Sequence, residues 1–213
     1  MKNGGGPRVV TVDPRVPAAA VLREAATHLG EGALVAFPTE TFYGLGAAAL
    51  DPAAITRIFG LKGRPESKPL LALVDSVVMA ETVAHVSPGA RIMMARHWPG
   101  ALTIVLSARS GVPNVLTAGT GTIGLRASPH PVALGLVRAF GRPVTAPSAN
   151  PSGDEPPVSA ARVLDYFPEG ITLVLDGGPT AGGEPSTVLD MTVEPPRILR
   201  QGVVRLTAGE LAR

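Results

Sequence analysis

Asp51-Pro52 and Ser87-Pro88 each put a helix-capping side chain directly before a proline. The cap oxygen accepts from an N–H that has no partner inside the helix, and the fixed φ of proline suits the first helical position. Helices are therefore expected from these points to about Leu61 and about Trp98. Similar periodic stretches cover Pro17–Leu29, Asp75 to about His85, Pro131–Phe140, and Ala160–Phe167 behind Ser159. Between them lie apolar runs short enough to be strands: Ala33–Phe37, Leu70–Val74, Ala101–Ser107, Thr122–Ala127, Val144–Ala146, Ile171–Leu175, Thr187–Leu189 and Arg197–Leu199. Helix and strand signals interleave with short connections and no clear linker. That pattern predicts one layered α+β domain in which parallel and antiparallel pairs coexist. Residues 1–8 read as a flexible leader, 9–206 as the domain and 207–213 as a tail.

Bulk properties narrow the function. With 45% apolar and 17% charged residues over 213 positions, the chain has the material for a substantial core. A net charge of +2 is too small to draw in nucleic acid or a membrane by bulk electrostatics. The absence of cysteine excludes disulfides, Cys-ligated zinc and thiol chemistry. No apolar run nears the roughly 20 residues a membrane span needs, and no apolar signal core follows Lys2, so a cytoplasmic protein is expected.

The rare charges are concentrated. Only three lysines stand against sixteen arginines, and two of the three flank Arg64 in Lys62-Gly-Arg-Pro-Glu-Ser-Lys68. The segment reads either as a solvated loop or as a phosphate site, where Arg supplies a fork and Lys a point charge. Pro38-Thr-Glu-Thr41 reads as a turn or as a clamp for a small polar ligand beyond a strand end. Arg126, inside a mostly apolar strand, needs a partner or a ligand, and Arg200 raises the same question. Pro147-Ser-Ala-Asn-Pro-Ser-Gly153 is a multi-turn loop or an anion nest.

Other chemistries fail on context. Gly44-x-Gly46-x-x-Ala49 begins too far from its strand, and Gly119-x-Gly121-x-x-Gly124 runs into a strand rather than a helix, so neither makes a dinucleotide fingerprint. There is no Walker-type glycine loop. The four histidines lack metal-ligand spacing, and Ser148 lacks a nucleophile elbow.

In order along residues 17–204, the motifs Pro-Thr-Glu-Thr-x-Tyr-Gly-Leu, Lys-x-Arg-Pro-x-x-Lys-Pro-Leu, Trp-Pro-Gly-x-Leu-Thr, Gly-Leu-Arg, Ala-Pro-Ser-Ala-Asn-x-Ser-Gly, Ser-Thr-Val-Leu-Asp and Ile-Leu-Arg-x-Gly resemble the YrdC family. The resemblance implies a single three-layer domain, with a twisted mixed β-sheet flanked by helices around a large concave cavity. It implies an L-threonylcarbamoyladenylate synthase that condenses L-threonine, bicarbonate or CO2, and ATP with Mg²⁺. A tRNA threonylcarbamoyl transferase complex would act downstream. Carried over by position, Thr41, Arg126, Ala146 and Ser186 would bind L-threonine. Arg64, Lys68, Thr122, Ser148, Pro156 and Arg200 would bind ATP. Lys62 and Arg64 are the expected catalytic cations, and replacing either with alanine is expected to cost activity but little stability. No residue is expected to hold a metal by itself. Leu73 stands where some members carry a histidine near the threonine site. The chain ends without the additional C-terminal domain of some members, so the short single-domain form is expected. Two other readings stay open: a carbamoyladenylate-forming relative, and a non-catalytic protein that binds double-stranded RNA, with weak RNA affinity possible in any case.

Overall fold

The computed structural model describes residues 6–211. In chain order the elements are β1 (Arg8–Thr11), α1 (Ala19–Gly30), β2 (Val35–Pro38), β3 (Tyr43–Gly46), α2 (Pro52–Lys62), β4 (Leu71–Leu73), α3 (Val77–Val83) and α4 (Pro88–His97). They continue with β5 (Leu102–Ser107), α5 (Asn114–Thr117), β6 (Thr122–Arg126), α6 (Pro131–Phe140) and β7 (Val144–Thr145). The chain closes with α7 (Ala160–Tyr166), β8 (Leu173–Asp176), β9 (Thr187–Asp190), β10 (Arg197–Arg200) and α8 (Ala208–Leu211).

The caps read from sequence are in place. Asp51 accepts from the amides of Ala53 and Ala54 ahead of Pro52, and Ser87 accepts from Ala90 ahead of Pro88. One cap moves by a residue: Ser76, not Asp75, accepts from Met79, while Asp75 accepts the Ser76 hydroxyl at 2.6 Å. Four elements were not expected. They are β1, which starts at the end of the expected leader, β3, α5 and α8 in the expected tail. Residues 1–5 and 212–213 of those end segments lie outside the described residues.

The expected single sheet forms as two mixed sheets, ordered β1-β8-β2-β3 and β10-β9-β5-β6-β4-β7. They meet at a seam where β3 runs beside the chain around β7. Bonds cross it from Thr145 N–H to Ala47 O, from Leu45 N–H to Pro147 O and from Ala149 N–H to Tyr43 O. Pro143 and Pro147 contribute no N–H, so the ladder is broken into the isolated bridges Gly44–Ser148 and Ala48–Val144. Gly46 sits at this seam, where a Cβ would come within 2.7 Å of the Phe37 ring.

Period-two alternation sorts side chains into layers. In β2 and β8, Val35, Phe37, Leu173 and Leu175 join a core with α1 and α6, while Ala36 and Val174 face the opposite core with α2 and α7. In β5 and β6, Leu102, Ile104, Leu106, Ile123 and Leu125 belong to that second core. Their neighbours Thr103, Val105, Thr122, Gly124 and Arg126 line an open cavity on the other face of the sheet.

Candidate active site

That cavity, of about 540 Å³, lies where the free face of the six-stranded sheet meets the β2–β3 turn. Its size falls within the range of small-molecule sites. One end is buried and heavily braced. Arg126, 4% exposed, points out of β6 with Nη1 3.3 Å from Oε1 of Glu40, and the Ser128 hydroxyl donates to the other Glu40 oxygen. Burial pushes the Arg126 guanidinium down from its usual range, against the opposing pull of Glu40. Arg126 Nε meets no acceptor among the described residues.

The same end carries a run of hydroxyls. Thr39 and Thr41 share a hydrogen bond at 3.2 Å, and Thr39 also donates to Phe42 O at 2.7 Å. The Thr41 carbonyl accepts from Gly182 N–H, which ties the turn to the loop after β8. Tyr43 donates to Gly178 O at 2.7 Å in that loop. Burial, and then the charge of Asp176, push its phenol up. Opposite, Arg200 grips the Ser186 carbonyl through Nε and Nη2 at 3.1 and 2.9 Å, and Ser186 Oγ shares a hydrogen bond with Thr103 at 2.9 Å. Gly202 permits this approach, since a Cβ there would lie 2.1 Å from Pro185 O. Burial first, and the charge of Arg126 second, lower the Arg200 guanidinium.

The other end is cationic and more open. Arg64 lies on the segment that follows the left-handed Gly63 cap of α2. Among the described residues its side chain donates only to carbonyls of its own loop, those of Lys68 at 3.3 Å and Pro69 at 3.0 Å. Lys62 is different. It is the last residue of α2, 4% exposed, and its ammonium donates to the carbonyls of Ser148 and Asn150. Burial, and then Arg64, lower its pKa to about 8. Thr120 and Thr122 share a hydrogen bond at 2.9 Å on the wall of this end.

Of the residues singled out in the sequence, Thr41, Lys62, Arg64, Thr122, Arg126, Ala146, Ser148, Pro156, Ser186 and Arg200 all line this one cavity. Lys68 does not. It is exposed on the turn beyond Arg64. Leu73 is also outside the lining, in the core with α1 and α6, and Leu71 is the β4 side chain that reaches the cavity. Lys62 departs from the expected loop cation, because its ammonium already braces the 148–150 segment. Sequence reasoning missed Thr103 and Thr120 in the lining, reached Thr39 only as part of the Pro38–Thr41 clamp, and gave Glu40 no partner. The alternation of Thr103 with apolar β5 residues was a usable signal; the Glu40–Arg126 pairing, across 86 positions, was not.

Among the described residues no three His, Asp or Glu side chains converge to bind a metal, and no histidine lines the cavity. The arrangement suits an anionic ligand or pair of ligands held by cations and hydroxyls, with catalysis by placement rather than by a protein nucleophile.

A family model named for Sua5, YciO and YrdC, and described as telomere recombination, matches residues 27–202. A threonylcarbamoyl-AMP synthase of Pyrococcus abyssi is 47% identical over 85% of this chain and 54% of its own length. One of Bacillus subtilis is 42% identical over 90% of this chain and 54% of its own. The chain thus spans about half the length of these curated relatives. The solved structure of P. abyssi Sua5 complexed with L-threonine superposes with a TM-score of 0.88 at 44% identity, covering 92% of this chain and 57% of that one.

Proposed function

The chain belongs to the Sua5/YciO/YrdC family, and from that premise we propose that it is an L-threonylcarbamoyladenylate synthase. The observation that carries the reading is one cavity with a buried arginine at one end and a cationic loop at the other. A carboxylate suits Arg126, and a polyphosphate suits Arg64 and the Ser148 segment, with Arg200 meeting it from the Arg126 end.

The amine of L-threonine attacks CO2 derived from bicarbonate and loses a proton, giving a carbamate. A carbamate oxygen then attacks the α-phosphorus of ATP, and pyrophosphate leaves. Arg126 with the Thr41 and Ser186 hydroxyls holds threonine. Arg64 and Arg200 offset charge on the polyphosphate, and Lys62 fixes the loop that carries Ser148. Thr120, Thr122 and Ser148, which line the cavity, would hold a divalent ion brought in with the nucleotide through their hydroxyls. Mg²⁺ bound in this way neutralises charge on the phosphates. The product would pass to a transferase complex that modifies tRNA, in the cytoplasm. No described helix is long and apolar enough to cross a membrane.

The test is pyrophosphate release from ATP and bicarbonate by pure protein, with and without L-threonine. Release that requires threonine supports the reading. Release driven by carbamoyl phosphate instead points to a carbamoyladenylate enzyme, and no release with either sinks both.

A further inference from the structure

We propose that Glu40 is a positioning residue for the amino-acid subsite, acting through Arg126. The inference rests on the synthase reading for its substrate but on the coordinates for its geometry. Glu40 lies between Thr39 and Thr41, which line the cavity, yet it is not itself part of the lining. Its carboxylate turns toward the β6–α6 connection. There Oε1 stands 3.3 Å from Arg126 Nη1 and Oε2 accepts the Ser128 hydroxyl. Ser128, 1% exposed, in turn accepts from the N–H of His130, the cap of α6.

The chain of contacts is therefore anchored on a helix start at one end and on the buried guanidinium at the other. An arginine this deep needs a counter-charge, and one that must present a free edge to a ligand needs that counter-charge behind it. Glu40 meets both needs. Its Oε1 faces Nη1 as an ion pair outside hydrogen-bond geometry, so Oε1 and Arg126 Nε are both without a hydrogen-bond partner among the described residues. Placed behind Arg126, Glu40 touches neither substrate, and its role is to aim the fork. The proximity of Arg200, whose guanidinium is lowered in part by Arg126, makes that aim matter more. The two like charges already repel with Glu40 in place, and removing its negative charge leaves that repulsion less offset.

Glu40→Gln keeps the shape and removes the charge. Calorimetric titration with L-threonine should show weakening of about tenfold. ATP affinity should stay within about twofold, while the melting temperature should fall, because the buried guanidinium loses its counter-charge. Ser128→Ala should weaken threonine in the same sense by a smaller factor, and it serves if the first variant fails to fold. In a cycle with Arg126→Lys, the threonine effects should be strongly non-additive. Unchanged threonine affinity in Glu40→Gln overturns the proposal. So does an equal loss for both substrates, which would mark a purely structural carboxylate. A lower turnover with intact threonine affinity also overturns it and would make Glu40 a proton acceptor. If the wild-type protein binds threonine but releases no pyrophosphate, the synthase reading falls while the titration still decides the role of Glu40.

Discussion

The two ends of the cavity are built on different principles. Around Arg126 every wall is cross-braced: Glu40 from one sheet, Arg126 from the other, Ser186 clamped by Arg200, Thr41 tied to Gly182. Around Arg64 the contacts are local, and the side chain folds back on its own loop. The difference matches the ligands proposed for each end. A small rigid amino acid gains from a site whose ordering cost is met during folding. A triphosphate is long, flexible and highly charged, and cations on an adaptable loop can follow it.

The contrast is broken most severely at Arg126. Arg126→Ala should lower kcat/KM for threonine by about 100-fold or more and destabilise the fold by about 3 kcal/mol, because Glu40 is left without its counter-charge. Thermal unfolding and pyrophosphate release would show both effects. Arg126→Met combined with Glu40→Gln should recover most of the stability and none of the activity. If the double variant is as unstable as the single one, the braced end does not owe its cost to the orphaned carboxylate.

Lys62 is the next largest effect, and it crosses the boundary between the two ends. It points into the cationic end but is bonded like the braced one. Lys62→Met strips the donor from two carbonyls, each worth about 1–3 kcal/mol when left unpaired in a buried setting, so both melting temperature and turnover should fall. Its titration adds a sign. Burial holds the folded-state pKa near 8 against an ordinary 10.5, so the unfolded chain binds more protons between those values. The cost of burying the ammonium is complete below pH 8. It is relieved as pH rises toward 10.5, and stability gains over that window. Melting curves of wild type minus Lys62→Met across pH 7–10.5 should show that rise, while turnover that relies on the ammonium falls over the same range. A flat difference would remove the titration from the account.

Arg64→Ala should raise the KM for ATP about tenfold and leave the melting temperature nearly unchanged, since only its own loop loses bonds. Lys68→Ala should be the mildest. It is exposed and off the cavity wall, so a change of less than about threefold in the KM for ATP is expected at physiological salt, growing as salt is lowered. A Lys68 effect as large as that of Arg64 would show the loop closing much further over the nucleotide than its present contacts allow.

Local chemistry was the legible part of this protein. Asp51, Ser87 and Ser159 announce their helices because a cap and the amide that donates to it lie within three residues, and Pro131 to Gly141 brackets α6 to the residue. β1 and β3 were not legible. Arg8–Thr11 is mostly exposed and exists only because β8 offers a parallel edge, and Gly44-Leu-Gly46 has no alternation to read. The site divides in the same way. Arg126 was conspicuous as a charge in an apolar strand, and the rare lysines as a cluster. Lys62 in the closing turn of α2, with acceptors 86 and 88 positions away, depends on a tertiary meeting that no local pattern encodes.

The alternation along β5 and β6 has a consequence for how such a chain can change. Thr103, Val105, Thr122, Gly124 and Arg126 work in the cavity only because their immediate neighbours are core residues. These strands therefore behave like a reading frame. A single inserted or deleted residue would turn the binding wall into the core and the core into the wall. A pair of residues would restore the faces but shift Arg126 away from Glu40. Length can vary without that penalty only outside the strands, and the exposed turn at residues 109–111, after β5, is where this half of the cavity can absorb it.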